Sequence, residues 1–230
     1  MLRRNLAIHF AIAVLVLLPL GSCSTASKKP KQGTPAFYWQ AAVETLAKRD
    51  YLKTTEHLRR VIRSDNEYTQ RAIPFRLAVS AGIAEAYLDL ANEIQKGVKA
   101  SKQPPAALRK SLMDHRLMAE TRALEFTETF IAFIKAPKQD PVVLEFAFPP
   151  PGPSEPKELV QIQGGALPTP EVMALVEQRM VERGVPRAIQ AAVGAPDDPA
   201  KARAAFQGGK AQVPRDVFLR AMLQTLYKEC

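Results

Sequence analysis

The chain has 230 residues, 47% of them hydrophobic, enough to bury one large helical core or two small ones. Its formal net charge is +9, with most of the excess between Cys23 and Lys135, yet no nucleic-acid-binding motif accompanies it, so nucleic acid is not the expected partner. Three histidines and two cysteines fall at no metal-ligand spacing, which argues against a zinc site.

The chain opens with Arg3 and Arg4 and an apolar run from Leu6 to Leu20, the layout of an export signal. The run is shorter than the roughly 20 residues needed to span a bilayer, and it ends in Pro19 and Gly21. That disfavours an uncleaved transmembrane helix. An ordinary signal peptide cut elsewhere would leave Cys23 an incidental thiol. Leu20-Gly21-Ser22-Cys23, however, resembles the lipobox of bacterial lipoproteins. The resemblance implies a signal peptide over 1–22, lipid attachment at Cys23 and acylation of the new amino terminus. With Ser24 rather than Asp after the cysteine, it also implies sorting to the outer membrane. Membrane lipid is then the first expected partner, held through the Cys23 anchor. Acyl chains contribute about 0.8 kcal/mol per buried CH₂, and Lys28, Lys29 and Lys31 add attraction to anionic headgroups. Lipidation of Cys23 leaves Cys230 unpaired, so no disulfide is expected.

Residues 23–35 read as a lipidated flexible tether, with Lys, Pro and Gly and no large apolar group before Pro35. Thr34-Pro35 is a helix start, threonine as N-cap and proline at the first helical position. The helix it opens carries Phe37, Trp39, Val43 and Leu46; a break at Asp50-Tyr51 leads to a second helix through Leu58, Val61 and Ile62. Arg49-Asp50-Tyr51 with Leu58, Val61, Ile62 and a turn near Asn66 resembles the second half of a tetratricopeptide repeat. Tyr38 and Ala42 stand near that repeat's first-helix aromatic and glycine. The likeness covers one repeat of about 34 residues. It departs at Thr54 for the small alanine, Arg49 for the turn glycine and Asn66 for the closing proline.

Pro74 reads as the start of the longest helix, to Val98. Its rows Leu77-Ala81-Ala84-Leu88-Ala91 and Ile83-Tyr87-Leu90-Ile94 make a stripe wide enough for more than one neighbour. Pro104-Pro105 begins another long helix, to Ile134. One of its rows is Leu108, Leu112, Ala119, Phe126, Phe130 and Phe133; the next is Met113, Leu117, Leu124, Ile131 and Ile134. The short connection predicts an antiparallel hairpin. Residues 136–168 form a proline-rich connector with two expected strands, Val142–Phe148 and Leu159–Gln163, separated by a segment too long for a tight turn. Residues 169–230 read as a cluster of short helices. One runs from Thr169-Pro170 to a stop at Gly184, another from Val185 to Val193, a third is capped by Asp198 and a last starts at Pro214. The expected fold is therefore mainly α. Antiparallel hairpins, TPR-like or α-solenoid-like over 36–135, carry a small β element and the C-terminal cluster.

Catalytic chemistry finds little support. His57 reads as solvated, and His115 lies on an apolar row as a core or interface histidine. Glu125 and Glu128 read as solvated partners of Arg122, Asp197-Asp198 as a cap, and Gly208-Gly209-Lys210 as a turn without the remainder of a phosphate loop. No cofactor is implied and the chain does not read as an enzyme. The expected function is a periplasm-facing envelope scaffold whose groove holds a protein or peptide partner, with Tyr38, Trp39, Tyr51 and Tyr87 as its candidate residues. The alternative is a small-molecule or lipid carrier with Phe126, Phe130 and Phe133 lining an apolar pocket; an envelope enzyme ranks behind both.

Overall fold

The structure, a computed structural model, describes residues 30–227; the expected signal peptide, Cys23, the first part of the tether and Cys230 lie outside them. The described chain is mainly helical. The first hairpin pairs α1 (Pro35–Ala47) with α2 (Tyr51–Val61). Thr34 accepts from the Phe37 amide and Asp50 from the Lys53 amide, so each helix begins where a short polar side chain satisfies an otherwise orphaned N–H. Between them Arg49 takes φ +62°, a left-handed conformation usually left to glycine.

The centre of the molecule is α3 (Thr69–Ala100). Every residue from Ala72 to Ala84 is buried, because α2, α4, α5, α6, α8 and the sheet all pack on it. Pro74 does not open this helix but sits inside it. The ring removes only the bond to Gln70 in the first turns, where helical bonding is just being established. α4 (Ala106–Lys135) returns antiparallel to α3.

β1 (Val142–Glu145) pairs antiparallel with β2 (Lys210–Val213), Val142 opposite Val213 and Leu144 opposite Ala211. All four of these side chains are buried, and the residues between them are more exposed, the period of a half-covered strand. The partner of β1 is thus not the expected segment at Leu159–Gln163. That segment folds as α5 (Glu158–Gln163) with Leu159 and Ile162 buried against α3, a spacing of three that suits a helix face rather than a strand. The expected turn at Gly208-Gly209 holds, both glycines having positive φ, and it delivers the chain into β2.

A second correction concerns α6 (Pro170–Ala192), which runs unbroken through Gly184 and Pro186. Gly184 is not a stop. It meets Gly82 where α3 and α6 cross: a Cβ on Gly82 would lie 2.5 Å from the Val185 Cα, and one on Gly184 2.5 Å from the Gly82 carbonyl. Pro186 frees the Glu182 carbonyl, and Gly152 of the connector packs directly on that carbonyl with no room for a side chain. α7 (Pro199–Ala205) is capped by Asp198, as expected, and α8 (Arg215–Tyr227) buries Phe218, Met222 and Leu226. Arg215 donates to the Phe133 carbonyl at 3.0 Å and lies 4.1 Å over the Phe133 ring, tying the start of α8 to the last turn of α4. Among the described residues one hydrophobic cluster extends from Ala42 to Leu226.

Candidate functional site

α4 packs chiefly on α3 and turns its other side outward. At about 100° per residue, Leu108, Ala119, Phe126 and Phe133 fall on the side toward α3 and are buried. The second apolar row is not a neighbouring part of that face. Leu117 and Ala119 are about 200° apart around the axis, and Met113, Leu117, Leu124, Ile131 and Ile134 are exposed at 71, 64, 60, 46 and 50%. They recur as a heptad: Leu117, Leu124 and Ile131 occupy one position, Met113 and Ile134 the other, with Glu120 and Thr127 completing the seam. This is the spacing by which one helix pairs with another, and the stripe is about 32 Å long at 1.5 Å per residue. Asp114 and Glu128 border one side of it and Arg109 and Arg116 the other, all exposed. Asp114 pairs with Lys110 at 3.2 Å and Arg116 donates to Gln95 at 2.9 Å.

The four aromatic residues expected in a groove occupy two different places. Tyr38 stacks against His57 with ring centroids 6.2 Å apart and accepts a hydrogen bond from Arg60 at 3.2 Å. Trp39 stacks on Tyr68, meets Phe75 edge-on and has the Arg71 guanidinium 5.1 Å above its ring. Tyr51 and Tyr87 instead border a cavity of about 430 Å³ beside Arg49, Glu177 and Gln178. Tyr51 is a core residue, 1% exposed, with an unpartnered hydroxyl; burial pushes its pKa up to about 12. Tyr87 is buried too, and Arg122 lies 5.8 Å over its ring.

His115 bridges this cavity to α4. Its Nε2 lies 3.0 Å from Glu177 Oε1 and its Nδ1 2.7 Å from the Ser111 carbonyl. Burial pulls the imidazole pKa down, but the bonds to Glu177 and to the Ser111 carbonyl outweigh it, and the net shift is upward. This joins α4 to α6 and presents no nucleophile. His57 is half-buried rather than solvated, with Nδ1 buried and unpartnered. Phe126 and Phe133 are packed in the core, Phe133 against Phe218 and Phe126 beside Phe130. Among the described residues no group of three or more His, Cys, Asp or Glu stands together as a metal site, and no helix is long and apolar enough to cross a membrane.

No protein-family model matches the chain, and comparison with curated proteins and with solved structures found no match. The sequence signal for the α4 surface was its seven-residue recurrence. Its exposure depends on α4 having one main helical neighbour, which periodicity alone does not reveal.

Proposed function

We propose that the chain is a lipid-anchored envelope lipoprotein, tethered through Cys23 to the outer membrane and facing the periplasm. It acts as a non-catalytic scaffold that docks a protein partner along the outer face of α4. The observation that carries the reading is the exposed heptad of Met113, Leu117, Leu124, Ile131 and Ile134, since large apolar side chains exposed in a row along one helix face mark an interaction surface. The partner it suits presents an amphipathic helix with its own apolar seam. The acidic border at Asp114 and Glu128 and the basic one at Arg109 and Arg116 select the orientation of that helix.

Photo-crosslinking from a probe at residue 117 or 124 in the intact envelope tests the docking. An adduct is expected with the parent seam and lost in Leu117→Glu/Leu124→Glu. Both positions are exposed, so folding stability should move by no more than about 0.5 kcal/mol. Retention of the adduct in a folded double variant would overturn the docking face. Palmitate labelling that disappears in Cys23→Ala tests the anchor separately.

A further inference from the structure

Arg76 is the one arginine of the long buried run in α3, and its surroundings do not satisfy it. It is 4% exposed. Its Nη1 donates to Thr129 Oγ1 at 2.6 Å, and that hydroxyl in turn donates to the Glu125 carbonyl at 2.8 Å. Nε is buried with no partner, and among the described residues Arg76 forms no salt bridge. A guanidinium stays protonated at any ordinary pH, so it cannot escape burial by shedding its charge, and arginines at this depth are normally paired.

Arg76 lines a cavity of about 240 Å³ between α2, α3 and α4, together with Lys53, Arg59, Arg122, Glu56 and Glu125. Both carboxylates already have cations of their own: Glu56 is 2.9 Å from Arg60, and Arg122 Nη1 reaches the two Glu125 oxygens at 3.1 and 2.9 Å. Lys53 is held by Asp50 at 2.7 Å. The Arg122 Nε is a second buried, unpartnered donor, while Arg59 has no hydrogen bond or ion pair among the described residues. The cavity wall therefore holds four cations against two carboxylates, and among the described residues Arg76 has no carboxylate in ion-pair contact. Burial, reinforced by Arg59 and opposed by Glu125 and Glu128, holds the Arg76 pKa below its usual value, the sign of a charge whose desolvation is not fully offset.

We propose that this cavity binds the anionic group of a small molecule, a phosphate or a carboxylate, with Arg76 as its floor and Arg59 and Arg122 closing over it. The planar guanidinium offers two parallel donors that match either group. In a partly dry site each contact is stronger than at the surface. The site faces α2 and is separate from the outer stripe of α4, so its occupancy does not depend on the docking face.

Calorimetric titration of the detergent-solubilised full chain with inorganic phosphate and with succinate, at constant ionic strength in chloride, tests the assignment. Saturable binding of at least one anion is expected. Phosphate alone marks a phosphate ligand, succinate alone a carboxylate, and both a general oxyanion site. Arg76→Met should abolish the heat while leaving a folded chain, because an apolar side chain of similar length removes the buried charge. Arg76→Lys should weaken binding about tenfold through loss of the paired donors. Should Arg76→Met not fold, Arg59→Ala at an exposed position should weaken binding several-fold. No saturable binding of either anion to the parent, or affinities unchanged in folded Arg76→Lys and Arg59→Ala, would overturn the proposal.

Discussion

At His115 the chain commits a titratable group to holding two helices together. The Ser111 carbonyl can only accept, so Nδ1 donates, and Nε2 donates to the Glu177 carboxylate; the imidazole is best satisfied as imidazolium. The groups facing it are Glu177 of α6 and Asp114 of its own helix, both of which favour the charged form, while burial opposes it. A pKa raised in the folded state contributes stability that is fully present below the unfolded value of about 6.5 and is lost as pH climbs through the folded value. We therefore expect unfolding free energy to fall by about 1 kcal/mol, the scale of a partly exposed ion pair, between pH 5.5 and a pH above the raised pKa. Urea denaturation at the two pH values checks this. His115→Gln should remove that part of the slope, and an unchanged slope would dissociate the interaction from stability.

At the scale of elements, the crossing of α3 and α6 is set by two glycines. Alanine at position 82 would gain about 1 kcal/mol of helix propensity, but its methyl would fall within 2.5 Å of the Val185 Cα and 2.7 Å of the Gly184 carbonyl. These are backbone atoms of another helix and cannot step aside. The clash should win, making Gly82→Ala destabilising by about 1–3 kcal/mol, and a Gly82→Ala chain that melts at or above the parent temperature would contradict it. The same crossing explains what could and could not be seen in the sequence. Thr34-Pro35, Asp198-Pro199 and Thr169-Pro170 marked true helix starts because a cap is local chemistry, complete within four residues. Gly184 and Pro74 were misleading because neither ends nor begins a helix here: the first serves a close approach between helices, and the second is a tolerated loss of one bond inside a longer helix. A strand was visible over Val142–Phe148, of which only Val142–Glu145 is paired as β1, and its partner lies at Lys210–Val213, where four residues after a glycine turn carry little signal of their own. Neither exposure of the α4 seam nor the unpaired state of Arg76 could be read, since both depend on which helices are absent from one side.

For the whole molecule, the decisive fact is that α3 is shared. The hairpins before Lys135 cover part of it with α2 and α4, while α5, α6, α8 and the sheet cover the rest. Burying a single large aliphatic or aromatic side chain contributes about 1.5–3 kcal/mol, and a domain has only about 5–15 kcal/mol of net stability. A chain ending at residue 135 would uncover several α3 side chains at once, and would lose the Arg215 contact to the Phe133 carbonyl at the end of α4. The expected result for a 30–135 fragment is a helical but non-cooperative melt with dye binding to exposed apolar surface, whereas the 30–227 chain unfolds in one step. Circular dichroism with dye fluorescence separates the two. A cooperative transition in the fragment would mean that the first two hairpins bury enough apolar surface on their own. The two proposed sites would differ in such a fragment. The cavity wall around Arg76 comes wholly from α2, α3 and α4, but its fixed geometry relies on an α3 that α6 also holds in place. Anion binding should therefore require the full body. The outer seam of α4 needs only a formed helix, so it should still capture its partner if that partner supplies the complementary apolar face.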